Sequence, residues 1–331
     1  MNLELIWNVG WPLRRLRWRH PEFFDRQPPA GWMRGVDFYS REEFGAALEQ
    51  AACHFKGRMG FWPRFDKPKR YSEKIFWQKF FGLLPVPVAG NKLLTAKHIP
   101  KSLAGEIDTA PLRYRSKQAV LPNNDELPAG NYILKANHGA GMYLSLAYPL
   151  DSDTRAAAQA KCREWLADDY GHRNGEWWYS AFEREILIED RLGSGDELLD
   201  WRFHILDGKL AFISVTCVKN GRIVEGVLLD DEFRPCAEQS KSSRPLLAVS
   251  LPRRLGDAKR ISEEIGRHYP FLRVDLYILD EKIYLGEITI APASGMLSYS
   301  AEFDFALGKN LASLPDFRFT FHERVADLNL A

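Results

Sequence analysis

Two apolar runs near the C-terminus, Leu272 to Leu279 and Ile283 to Ile290, constrain this chain most. Both alternate, and only a short acidic turn separates them, so they read as antiparallel neighbours in one sheet. Alternation puts Arg273, Asp275 and Tyr277 on one face of the first strand, and Glu287 and Thr289 on one face of the second. Register decides whether the two sets meet. A two-residue turn at Asp280-Glu281 pairs Asp275 with Gly286 and sends Glu287 to the other side. A three-residue connection, or one bulge, pairs Asp275 with Glu287. Carboxylates meeting there make a hard-oxygen site, the kind that holds Mg²⁺ while substrate phosphates complete its shell. A shared cation predicts the longer connection. Solvated charges on an exposed sheet face are the alternative.

The rest of the chain reads as α+β. Ser40 opens a helix with Glu43 closing a capping box, and Phe44, Ala47, Leu48 and Ala51 follow at helical spacing. Ser72 to Phe81 is an aromatic amphipathic helix, and Leu83 to Val88, with two prolines, is extended. Strands are expected at Tyr132 to Leu134 and Met142 to Ala147, then a helix from Asp151 to Tyr170 stopped by Gly171. From about residue 182 the pattern turns to β: Ile186 to Ile188, a hairpin at Asp207-Gly208, another at Asn220-Gly221, and a helix around Asp257 to His268 before the last strand pair. Helices followed by an antiparallel sheet argue against a parallel doubly wound fold. No G-x-G-x-x-G, P-loop or G-x-S-x-G is present.

Lys135 ends an apolar strand just before the loop Asn137-His138-Gly139-Ala140-Gly141. A lysine there can offer a point charge to a phosphate, while glycines let backbone N–H groups come close. An ordinary surface lysine before a turn fits as well. Glu189, directly after a buried-type strand, is either at a cleft mouth or a solvated strand end. Asp200 and Arg202 carry the same ambiguity, and His138 is either a base or a hydrogen-bonding loop residue.

Lys+Arg number 45 against 44 Asp+Glu. So balanced a chain has no global field to hold a polyanion, and a dedicated nucleic-acid binder is not expected. Cys53, Cys162, Cys217 and Cys236 show no C-x-x-C spacing, so zinc and redox readings have no support, and Cys53 and Cys162 are expected as buried helical thiols. A reducing compartment is the simplest setting. No run of apolar residues is long enough to span a bilayer, and the start lacks the pattern of a secretory signal. Trp7, Trp11 and Trp18 are interleaved with Arg14, Arg15, Arg17 and Arg19. That is the pattern of a peripheral membrane anchor, or of an arm packed on the protein's own body.

Taken in order, further motifs join these. They are Ser72-Glu73-Lys74-Ile75 with Trp77, Asn91-Lys92, the 135–141 segment, Trp165-Leu166, Tyr170-Gly171 and Gly175-Glu176-Trp177. Ile188-Glu189-Asp190, Asp200-Trp201-Arg202-Phe203, Asp207-Gly208-Lys209, Phe271 to Tyr277, Gly286-Glu287-Ile288-Thr289, Ser294-Gly295, Asp304 and Leu307-Gly308 complete the series. From about residue 66 to 309 the chain resembles the ATP-grasp family of teichuronopeptide-biosynthesis type, met in bacterial surface-polysaccharide gene sets. The resemblance implies an ATP-grasp fold, two α+β subdomains gripping ATP, here with an N-terminal helical extension. It implies Lys92 and Lys135 on the ATP phosphates, the loop of His138, Gly139 and Gly141 closing over them through its backbone, and Glu189 near the adenine or ribose. Arg202 would serve near the nucleotide, Asp275, Glu287 and Thr289 would hold Mg²⁺, and Arg273 would stabilise charge in phosphoryl transfer. Thr289 stands where the wider superfamily has Asn, Ala140 where this family has Ser, and Asn91 where it has Asp. The arginine usual shortly after that position is missing, with Lys97 and His98 nearby.

The division expected is an N-terminal extension over 1–65, a catalytic domain over 66–310 and a tail over 311–331. The activity expected is an ATP- and Mg²⁺-dependent carboxylate–amine ligase working through an acyl phosphate, in the cytoplasm or at the inner face of the membrane, on glycan or small-molecule substrates in surface-polysaccharide synthesis. A phosphotransferase of the same fold and a non-catalytic scaffold are the alternatives.

Overall fold

The computed structural model describes residues 3–19, 21, 28, 30–172, 174–193, 198–219, 222–236, 245–267, 269–279, 281–297 and 299–311. The expected turn at 220–221, most of the tail at 312–331, Asp280 and His268 lie outside them.

A helical segment runs through Leu3–Leu5, a π-helical stretch Ile6–Gly10 and Trp11–Arg19. Helix α1 (Arg41–Met59) begins as expected: the Glu43 N–H donates to Ser40 Oγ at 3.3 Å, and the Ser40 N–H to Glu43 Oε2 at 2.9 Å. It ends at Gly60, whose φ of 81° suits a residue without Cβ. Helix α2 (Tyr71–Phe81) is buried on every side, including Glu73, Lys74, Gln78 and Lys79. It is therefore a core helix, not a half-exposed amphipathic one. Phe55, Ile75, Phe76 and Phe80 share one core with Val9 and Leu16, so the N-terminal segment packs on the body.

Strands β1 (Leu112–Ser116), β2 (Gly130–Ala136), β3 (Tyr143–Tyr148) and β4 (Ile186–Asp190) form a four-stranded antiparallel sheet in the order β1-β4-β2-β3. Thus Ile186 to Ile188 joins the earlier sheet. Its neighbours are chosen by long-range pairing, which local pattern does not report. β1 is an exposed edge strand without an apolar run to announce it. Helix α3 (Ser152–Ala167) covers this sheet with Ala158, Cys162 and Trp165. It stops three residues before Tyr170 because Asp168 turns extended, and Gly171 falls in a following 3-10 turn. Cys53 is exposed, against the expectation of a buried thiol, while Cys162 is buried.

The second sheet is built from β5 (Leu198–Leu206), β6 (Lys209–Lys219), β7 (Arg222–Leu229), β8 (Phe271–Leu279) and β9 (Lys282–Thr289) in the order β7-β6-β5-β8-β9, with Asp108–Thr109 added in parallel to β9. Helix α4 (Leu255–Gly266) covers one face. At its end a Cβ on Gly266 would come within 2.4 Å of Ile205, so only glycine allows this approach. Helix α5 (Ala301–Asn310) packs on α2, where Asp304 accepts from the Ser72 N–H at 2.8 Å and hydroxyl at 2.7 Å. The other face of the sheet carries the charged residues.

Candidate active site

The β8–β9 connection is the two-residue turn, not the longer one that a shared cation predicted: Leu279 pairs with Lys282, and Leu276 with Leu285. The register then shifts, and Asp275 pairs with Glu287. Gly286 is the extra residue, a β-bulge that rotates Glu287 onto the Asp275 face. A Cβ at Gly286 would lie 2.6 Å from the Tyr277 ring, so the bulge needs glycine. On the other side of β8, Asp275 stands opposite Arg202. Arg202, Asp275 and Glu287 thus form one row across three strands. His204, Arg273 and Thr289 form the next.

The row is tightly paired. Arg273 donates through Nε and Nη2 to the two Asp275 oxygens at 2.7 and 2.6 Å. Arg202 does the same to a single Asp200 oxygen at 2.7 and 2.6 Å, and its Nε lies 4.0 Å from Asp275. Burial pushes the Asp275 carboxyl above its ordinary range, and the Arg273 fork pulls it back. Burial works against the Arg273 charge, but Asp275 beside it outweighs burial and keeps the guanidinium firmly protonated. Glu287 goes the other way: burial would raise it, but Lys92, Arg273 and Lys135 hold it below its ordinary value. Two buried oxygens, Thr289 Oγ1 within these rows and Asp200 Oδ1 beside them, have no hydrogen-bond partner. Sequence reading left Asp200 ambiguous, but its i,i+2 relation to Arg202 places both on one face.

Lys92 opens the 3-10 stretch Lys92–His98, where Asn91 Oδ1 accepts from the Leu93 N–H at 3.1 Å. The Lys92 ammonium lies 3.4 Å from Glu287 Oε1 and donates to the Gly139 carbonyl, while its N–H donates to the Asn137 carbonyl at 3.0 Å. Lys92 therefore ties the glycine loop of the four-stranded sheet to the carboxylates of the other. Asn at position 91 works here as a cap, and it also accepts from Asn137 Nδ2 at 3.3 Å.

Lys135 and Glu189, expected on the phosphates and near the base, form an ion pair with each other across β2 and β4. The charge of Lys135 still reaches the far sheet, being one of those that hold Glu287 ionised. His138 is buried, and its Nε2 lies 3.0 Å from the Trp165 carbonyl. A carbonyl only accepts, so Nε2 carries the proton; burial favours the neutral ring. The His138 side chain is thus a lock between loop and α3. Of the two readings the sequence left open for His138, the geometry fits the hydrogen-bonding loop residue and not the base. Gly139 and Gly141 both have positive φ, 79° and 74°. At Gly139 a Cβ would also meet the Tyr170 ring at 2.7 Å.

Glu176 and Ser294 stand among the sequence motifs, but Lys79, which joins them in one buried polar cluster, does not. Lys79 Nζ donates to the Asn174 carbonyl at 2.7 Å and to Ser294 Oγ at 2.8 Å. Burial pushes Lys79 down and Glu176 up, each partly restored by the other, and Glu176 in turn is raised by the Glu287 charge. A lysine between the aromatic residues of α2 was the signal available.

A family model described as TupA-like ATPgrasp matches residues 123–312. Among solved structures, the chain is similar to D-alanine–D-alanine ligase from Bacillus anthracis, at 18% identity over 72% of this chain and 69% of that one, with a TM-score of 0.41. It is also similar to L-amino acid ligase from Bacillus licheniformis, at 14% identity over 73% of this chain and 56% of that one, with a TM-score of 0.41. No curated protein matches the sequence. With the family model spanning more than half of the 331 residues and both charged rows within it, the chain has the ATP-grasp fold and belongs to the TupA-like ATPgrasp family.

Proposed function

We propose that this protein is an ATP-dependent carboxylate–amine ligase that works through an acyl phosphate. The observation that carries the proposal is the pairing of Asp275 with Glu287 across the Gly286 bulge, under Lys92 and within the field of Lys135. Among the described residues no group of three or more His, Cys, Asp or Glu could hold a metal alone. Two carboxylates and the unpartnered Thr289 hydroxyl do fit Mg²⁺, a cation that takes one or two carboxylates and completes its shell with nucleotide phosphates. Asp275, Glu287 and Thr289 would hold it, and when bound it supplies neutralisation of phosphate charge.

The chain's own residues do the rest. Lys92 and Lys135 offer ammonium charges to the phosphates, and the glycine loop offers its backbone. Glu189 would receive the base or ribose once Lys135 turns from it. Arg273 and Arg202 balance charge that develops as the γ-phosphoryl passes to a substrate carboxylate. The carboxylate oxygen bonds to phosphorus, the bond to ADP breaks, and the acyl phosphate then has phosphate as a leaving group. An amine attacks it, giving an amide and inorganic phosphate. Positioning and exclusion of water are the work required. The substrates proposed are an amino acid and a sugar acid of a bacterial surface glycan, joined on the cytoplasmic side.

The test is a screen of amino acids against uronic-acid glycans with Mg·ATP, reading phosphate release and product mass. Amide product with ADP and phosphate is expected. ADP with a phosphorylated sugar would make the protein a kinase, and no Mg·ATP binding by calorimetry would make it a scaffold.

A further inference from the structure

The helical segment from residue 3 to 19 has two unlike faces. One is committed to the body. Val9 and Leu16 are buried, with Leu5 and Leu13 packed beside them. Arg15 pairs with Asp66 at 3.0 Å, and Glu4 accepts from the Trp62 indole at 2.7 Å. The other face carries Trp7, Trp11 and Trp18, which are 65%, 47% and 81% exposed. Positions four and seven apart share one side of a helix. Trp7 and Trp11 stack with ring centroids 6.2 Å apart, and the Arg14 guanidinium lies 5.7 Å from the Trp11 centroid. Arg14, Arg17 and Arg19 are exposed beside them. Eight large hydrophobics are exposed among the described residues, and three of them fall between positions 7 and 18. That is a patch, not scatter.

We infer that this face docks on an anionic lipid bilayer, with the indoles at headgroup depth and the arginines on the lipid phosphates. An indole is amphipathic, an apolar body with one N–H, and membrane interfaces collect such rings. A guanidinium matches a phosphate in fork geometry. The formal charge of the whole chain is +1, so these arginines make a local positive patch without a general field. Such a patch acts at short range, on a dense array of negative charge met at contact. The inner face is already filled, so the segment presents its indoles as it stands. No helix among the described residues is long and apolar enough to cross a membrane, so the contact is peripheral. None of these side chains belongs to the nucleotide site, and the inference stands apart from the reaction proposed above.

The test uses the full chain with vesicles of phosphatidylcholine alone and of phosphatidylcholine mixed with phosphatidylglycerol. Co-sedimentation and a blue shift of tryptophan emission are expected with the mixed vesicles only, weakening as salt rises. Trp7→Ser with Trp18→Ser removes indoles, and Arg14→Glu with Arg19→Glu reverses charge. Losing one interfacial arginine lowers partitioning about five-fold, so the charge-reversed pair should bind at least twenty-five-fold or so more weakly. Circular dichroism of both variants should match the parent, since every replaced side chain is exposed. Absence of binding, equal binding to neutral vesicles, or parent-like binding by both variants overturns the inference. So does concentration-dependent dimerisation that Trp7→Ser with Trp18→Ser abolishes, which would assign the face to a second copy.

Discussion

Asp275 stands opposite Glu287 only because Gly286 bulges out of the β8–β9 ladder. The tight turn alone would have left Glu287 on the far face. One residue without a side chain therefore builds the pair on which the proposed chemistry rests.

Gly286→Ala puts a methyl group 2.6 Å from the Tyr277 ring. Overpacking of this kind costs about 1–3 kcal/mol, and relief by slipping the register would separate the carboxylates. A lower urea midpoint together with loss of Mg·ATP turnover is expected. In a Tyr277→Ala background the same Gly286→Ala change should cost less, because the ring it would meet is gone. If the single variant turns over ATP at the parent rate, the bulge does not matter to the site.

Asp275→Asn and Glu287→Gln should both abolish turnover but differ in stability. Asp275 is the bidentate partner of Arg273, and removing its charge strands a part-buried guanidinium, an effect of about 3–5 kcal/mol for buried pairs. Glu287 is half-buried and shares its cations, so its loss should be milder. Thermal melts order the two variants. Equal melting temperatures would argue against the pairing described.

Arg273→Ala should lower kcat more than ATP affinity, because its charge is needed most in the transition state. Lys92→Met and Lys135→Met should instead raise the KM for ATP by roughly ten-fold or more, as expected for a lost charge-assisted contact. Steady-state kinetics on all three separates these roles. A Lys92→Met enzyme with an unchanged KM would remove that lysine from the phosphate site.

His98 supplies a pH test away from the chemistry. Burial lowers its pKa from 6.5 to about 4, and Nδ1 is 2.9 Å from the Tyr269 hydroxyl. A depressed folded-state pKa contributes stability that is full above the unfolded value and is lost as pH falls through the folded one. Between pH 6.5 and 4 this one residue should cost about 3 kcal/mol of stability. Denaturant midpoints across that range should fall for the parent and fall less for His98→Asn. A parallel fall in both would place the acid sensitivity elsewhere, with buried His204 the next candidate, as its pKa is depressed in the same direction.

What the amino-acid order alone determined is local. Period-two alternation set Arg273 beside Asp275, and Glu287 beside Thr289, because successive side chains on a strand point to opposite faces. The Ser40–Glu43 cap and the glycine loop after the Lys135 strand were legible for the same reason: each depends on a few neighbouring residues. Tertiary structure decided the rest. The bulge at Gly286 depends on pairing across the ladder, where the Tyr277 ring leaves no room for a Cβ, the Lys135–Glu189 ion pair on a residue 54 positions further along, and the turning of His138 on a carbonyl of α3. Lys79 sits in a core because α2 is covered on all sides, which its own sequence does not state. Pattern reports the direction in which a side chain leaves the backbone. What it meets there is fixed by distances between segments far apart in the chain.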